Sequence, residues 1–118
     1  MTFIEIREAC LSKGYATEGM PFGPDALVYK VGTKMFALLS EDGEVPWFSL
    51  KCDPYLAQDY RDRYSSVIPG YHFNKRHWNT VICNGTVPDD EVIKMLDHSY
   101  ELVYKSLSKN EKDNLTKE

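Results

Sequence analysis

Apolar residues recur at helical spacing near both ends of the chain and alternate with polar ones between them. Phe3, Ile6, Ala9 and Cys10 form one helical face. Thr2 with Glu5 three residues on is a capping box, and Lys13-Gly14 is a stop, so the pattern predicts a first helix. Residues 15–25, with Gly19, Pro21, Gly23 and Pro24, read as a loop. Residues 26–31 and 34–39 are two apolar runs joined through Gly32-Thr33, a hairpin. After the turn at residues 40–44, residues 47–52 predict a third strand. Phe48, Leu50 and Cys52 share one face of it, and Trp47, Ser49 and Lys51 the other.

Asp53-Pro54 is an N-cap followed by proline at the first helical position, which predicts a second helix to about Arg63 with Leu56 and Tyr60 inward. Pro69-Gly70 marks a turn with a short extended segment on either side, and residues 77–83 read as a strand closed by Asn84-Gly85. The acids of Asp89-Asp90-Glu91 behind Pro88 open the last helix, with Ile93, Leu96, Tyr100, Val103 and Leu107 as its apolar stripe. From Lys109 the chain is polar and expected to fray. The order is α-β-β-β-α-β-β-α. Short hairpin connections make the sheet largely antiparallel, with the helices on one face of a two-layer α+β fold. One sheet face would stay bare, open to a partner. Residues 1–108 form a single domain in this reading, and residues 109–118 a polar C-terminal tail.

Composition changes this picture little. The chain has 118 residues, 42% hydrophobic and 27% charged, which suits one ordinary globular domain. No apolar run approaches a membrane span, and charges interrupt the first apolar stretch, so neither an integral membrane role nor a signal peptide is expected. Cys10, Cys52 and Cys83 are odd in number and widely spaced, which predicts free thiols in the cytoplasm. The net charge of -4 disfavours the whole surface as a polyanion binder. Residues 51–77 are nevertheless +2, between two segments of -3 each. Within them, residues 72–78 hold two cations, two histidines, an amide and two aromatics without an acid. Phosphate contact and base stacking require such groups, although Lys75 and Arg76 as solvated turn residues, with Phe73 and Trp78 in the core, would account for them equally.

His72-Phe73-Asn74-Lys75-Arg76-His77-Trp78-Asn79-Thr80-Val81 resembles the H-x-N-K-x-H-W-x-T-V signature of the MmcQ/YjbR family of small bacterial proteins. Phe48-Ser49-Leu50-Lys51 before a proline-initiated helix, Ser99-Tyr100 in the last helix and the hairpin of residues 27–39 extend the likeness over residues 1–108. The resemblance implies an α-β(3)-α-β(2)-α fold, shared with type III secretion chaperones and grouped with the frataxin-like CyaY fold. It also implies a DNA-binding label, with the hairpins acting as a double wing. A frataxin-like iron role would need an acidic ridge on the first helix, and Glu5, Glu8 and Glu18 are too few.

Other chemistry finds little support. His72 and His77 have no cysteine or carboxylate at zinc-site spacing and would face opposite ways in a strand, so no metal is expected. The cysteines sit in apolar patterns, and Ser106-Leu107-Ser108-Lys109 lacks the companions of an S-x-x-K catalyst. No phosphate-binding glycine loop occurs. The expectation is a non-enzymatic module with no cofactor, binding DNA weakly and salt-sensitively through Lys51, His72, Asn74, Lys75, Arg76, His77 and Trp78. The alternative is a protein-interaction or chaperone-like module gripping a peptide or a second copy through the bare sheet face or the last helix. A small-molecule or enzymatic site around His72, His77 and Trp78 is a third class. Trp78 itself is expected beneath the last helix rather than on the bare face.

Overall fold

A computed structural model describes residues 1–70 and 73–116, apart from the Asp42 side chain. The elements run α1 (Phe3–Leu11), β1 (Ala16–Gly19), β2 (Ala26–Val31), β3 (Lys34–Asp42), β4 (Val45–Lys51), α2 (Pro54–Arg63), β5 (Val67–Pro69), β6 (Trp78–Ile82), α3 (Asp89–Ser106) and α4 (Lys109–Leu115). The strands form one antiparallel sheet in the order β1-β2-β3-β4-β6-β5. The α+β fold class is as expected, and the helices pack on the sheet.

The local signals explain most boundaries. Thr2 and Glu5 close the capping box of α1, and Asp53 accepts from Tyr55 and Leu56 at the start of α2. Gly32 turns β2 into β3 at φ 62°, a conformation that penalises a Cβ. Tyr29, Leu39, Phe48, Leu50 and Val81 point from the sheet into the core, where they meet Ile6 and Cys10 of α1 and Leu96 and Val103 of α3.

Four details depart from the pattern. Residues 16–19, read as loop, pair with β2 as an edge strand. The polar tail from Lys109 winds into α4, capped by Ser108 and held by Leu115 against the core and by Glu111 accepting from Thr33. The buried stripe of α3 runs through Val92, Met95, Leu96, Ser99 and Val103, leaving Ile93 and Tyr100 half-buried at its sides. Trp78 is cross-strand from Lys51, on the face away from the helices, because its place in β6 alternates with the inward Asn79 and Val81.

Ser99 is buried in α3 for a reason the hydrophobic pattern could not supply. Tyr29 pairs with Ala37 and Lys30 with Met35, so Phe36 is an extra residue that bulges β3. The Ser99 hydroxyl donates to the Phe36 carbonyl at 2.6 Å and accepts from the Lys51 amide at 2.9 Å, satisfying both in the interior.

Candidate functional site

Away from the helices the central strands carry small side chains: Ala26 on β2, Ser40 on β3, Ser49 on β4 and Thr80 on β6. Ser49 and Thr80 are opposite each other and their hydroxyls lie 2.8 Å apart. Large residues stand around this low floor. Trp47 and Leu38 rise from β4 and β3, Phe22 comes from the β1–β2 loop, and Phe73 from the loop before β6. Together they enclose a cleft of about 500 Å³, with Asp25 and Glu41 also in its lining. Phe22 is 70% exposed, so its ring is available to anything that enters.

The motif at residues 72–81 supplies Phe73 to the wall and Thr80 to the floor of this cleft. Phe73 stacks on Trp78 with ring centroids 4.7 Å apart and planes 25° apart. Gly70 donates its N–H to the Trp78 carbonyl at 2.7 Å, lying against the start of β6 where a Cβ would collide with Trp78. Asn74 Oδ1 accepts from the Arg76 amide at 2.9 Å, which closes a turn. From α2, the Arg61 guanidinium donates to Asn79 Oδ1 at 2.6 Å, to the Trp78 carbonyl at 3.3 Å and to the Lys75 carbonyl. Arg61 is the fastener of this loop, and sequence reasoning missed it. Its one signal is a cation at a half-buried helix position.

The sequence-predicted residues divide. Lys51 and Trp78 are cross-strand neighbours on the bare face. Lys75 is exposed. Arg76 turns toward α2, in a shallow hollow it shares with Tyr55, Gln58, Asp59 and Asp62. His77 is half-buried, and its carbonyl accepts from the Cys52 amide at 2.7 Å. His72 lies outside the described residues. Lys51, Lys75 and Arg76 form no ion pair among the described residues. His98 accepts from the Asp53 amide at 3.1 Å through Nε2, tying α3 to the start of α2.

Among the described residues no group of three or more His, Cys, Asp or Glu side chains could hold a metal ion. The cysteines are free, and burial pushes the Cys10 and Cys52 thiols up to about 12 and the Cys83 thiol up to about 11. No helix is long and apolar enough, among the described residues, to cross a membrane.

The class defined here is a small α+β domain whose sheet is covered by helices on one face and carries an aromatic-walled cleft on the other. The YjbR family model matches residues 11–102, and the chain belongs to the YjbR family. It is 36% identical over 101 residues to a protein of Escherichia coli (strain K12) named "Uncharacterized protein YjbR", covering 86% of each chain. It is 37% identical over 91 residues to "Uncharacterized protein YbdF" of Escherichia coli O157:H7, covering 77% of this chain and 75% of that protein. Among solved structures, Deinococcus radiodurans protein DR2400, with the domain DUF419, superposes with a TM-score of 0.88 at 36% identity. That match covers 97% of this chain and 87% of the other.

Proposed function

We propose that this chain is a cytoplasmic binding module without catalytic chemistry, and that the cleft on its bare sheet face takes a short segment of another protein. The observation that carries this reading is the cleft of about 500 Å³, walled by Phe22, Trp47 and Phe73 over a floor of small residues. A hollow of that size encloses one or two side chains, and the exposed Phe22 ring gains apolar contact when a segment docks. Three free thiols with raised pKa values favour a reducing compartment and a role other than nucleophilic catalysis. The test is selection of peptides from a displayed random library on the folded protein. Enriched peptides should lose about tenfold or more in affinity against Ser40→Trp, whose indole would occupy the floor. They should bind Lys75→Glu/Arg76→Glu undiminished. No enrichment, or peptides indifferent to Ser40→Trp, would overturn the reading.

A second reading is weak DNA binding through Lys51, His72, Asn74, Lys75, Arg76, His77 and Trp78. It is favoured by the absence of ion pairs at Lys51, Lys75 and Arg76 among the described residues. It stands second because Arg76 faces α2 beside Asp59 and Asp62 instead of joining Lys51 and Trp78. Carboxylates beside a cation weaken its hold on a phosphate.

A further inference from the structure

We infer that Asn84 is a site of self-modification: the Gly85 backbone nitrogen condenses with the Asn84 side-chain amide, assisted by Thr86 and Ser66, and water opens the resulting ring to isoaspartate. Among the asparagines of the chain only Asn84 precedes glycine. Glycine carries no Cβ to hold its nitrogen away from the amide carbon. The turn between β6 and α3 adds contacts that the sequence does not show. Thr86 donates both its backbone N–H, at 3.2 Å, and its hydroxyl, at 2.8 Å, to Asn84 Oδ1. The Ser66 hydroxyl stands 3.2 Å from the same oxygen and is hydrogen-bonded to the Thr86 hydroxyl, so its proton supports that oxygen directly or through Thr86. Gly85 N and Asn84 Nδ2 make no hydrogen bond among the described residues, so neither the nucleophile nor the leaving group is tied down.

Each contact meets a need of the reaction. Loss of the Gly85 N–H proton to hydroxide leaves a nitrogen that bonds to Asn84 Cγ, and the C=O electron pair moves onto Oδ1. The Thr86 N–H and O–H face that oxygen as the donors of an oxyanion hole do, and hold it more strongly as its negative charge grows. When the C=O re-forms, the Cγ–Nδ2 bond breaks and Nδ2 leaves as ammonia with a proton from water. Asn84, Gly85 and Thr86 are exposed, so water reaches the cyclic imide. Opening at the Asn84 main-chain carbonyl routes the backbone through the side chain as isoaspartate, and opening at Cγ gives aspartate. Asn79 is the contrast within the molecule. Arg61 holds its Oδ1, the Ala57 carbonyl holds its Nδ2, and threonine follows it. Isoaspartate at position 84 adds a methylene to the main chain between β6 and α3 and one negative charge. It also withdraws an acceptor of Ser66 at the entry to β5, so the tie between β5 and this turn loosens as the molecule ages.

The test holds the purified protein in mildly alkaline buffer and digests samples with trypsin at intervals, a starting sample correcting for change during digestion. Electron-transfer mass spectrometry of the peptide from His77 to Lys94 separates asparagine, aspartate and isoaspartate at position 84, with Asn79 as an internal control. Isoaspartate should accumulate at Asn84 and not at Asn79. It should form at least about tenfold faster in the folded protein than in the same chain kept in guanidinium chloride, where the donors disperse. Thr86→Val should slow the folded rate by about tenfold and Thr86→Ser should restore it, with Ser66→Ala between them. Circular dichroism checks that each variant is folded, and the folded-to-denatured ratio of the wild type decides the matter where one is not. No isoaspartate at position 84, a folded rate equal to or below the denatured one, or a folded rate indifferent to Thr86→Val overturns the inference.

Discussion

A methyl group at position 70 would stand 2.5 Å from the Trp78 Cβ and 2.8 Å from its carbonyl oxygen. Backbone and Cβ atoms cannot rotate away as the tip of a long side chain would, so the start of β6 would have to move. Gly70→Ala is expected to destabilise the fold by about 1–3 kcal/mol, the usual cost of overpacking a tight site. The displacement should also disturb the Phe73–Trp78 stack and so reshape the cleft wall. Urea denaturation followed by tryptophan fluorescence checks both, the midpoint giving stability and the native emission giving the stack. An unchanged midpoint would mean that residues 70 and 78 separate without cost.

At the scale of elements, β1 shows how a strand forms where the hydrophobic pattern has none. Ala16, Thr17, Glu18 and Gly19 pair with β2, and the Glu18 carboxylate accepts from Arg7 Nε at 2.8 Å and from the Tyr29 hydroxyl at 2.8 Å. The Arg7 hydrogen bonds hold the Glu18 carboxyl below its ordinary value of 4.5, while burial and the bond to Glu18 push the Tyr29 hydroxyl up. A carboxyl with a depressed folded pKa contributes its full stability above the unfolded value of 4.5 and loses it as pH falls through the folded one. The wild-type margin over Glu18→Gln should therefore be largest near pH 7 and close below pH 4.5, read from melting temperatures across that range. β1 has no apolar alternation of its own, and what holds it is its ladder with β2 and the polar contacts of Glu18, which is why the hydrophobic pattern did not show it. The cleft divides along the same line. Trp47 and Ser49 were legible as sharing the face away from Phe48 and Leu50, because alternation along one strand decides it. Phe22 and Phe73 stand on loops whose placement depends on distant anchors such as Arg61, so only the motif at residues 72–81 pointed to Phe73. Trp78 followed strand alternation rather than the general preference of tryptophan for the core.

For the molecule as a whole, the two binding readings make different demands on charge. The protein carries -4, and Lys75→Glu/Arg76→Glu replaces two positive charges by two negative ones, which brings the formal charge to about -8. Both side chains are exposed and unpaired among the described residues, and the backbone of their turn is held by Asn74 and Arg61. The fold should therefore tolerate the change within about 0.5 kcal/mol. A phosphate-binding surface would be abolished by it, since association that depends on a few cations falls steeply as each is removed or reversed. A cleft that holds an apolar segment would keep its ligand, because neither reversed residue is in its lining. Parallel titrations of wild type and variant, with short duplex and single-stranded DNA in one series and a library-selected peptide in the other, separate the two. Peptide binding retained in the variant, with no salt-sensitive DNA binding in the wild type, is the outcome expected from the aromatic walls of the cleft. DNA binding in the wild type that the reversal removes, with the peptide inert in both, would shift the working surface from the cleft to the turn beside it.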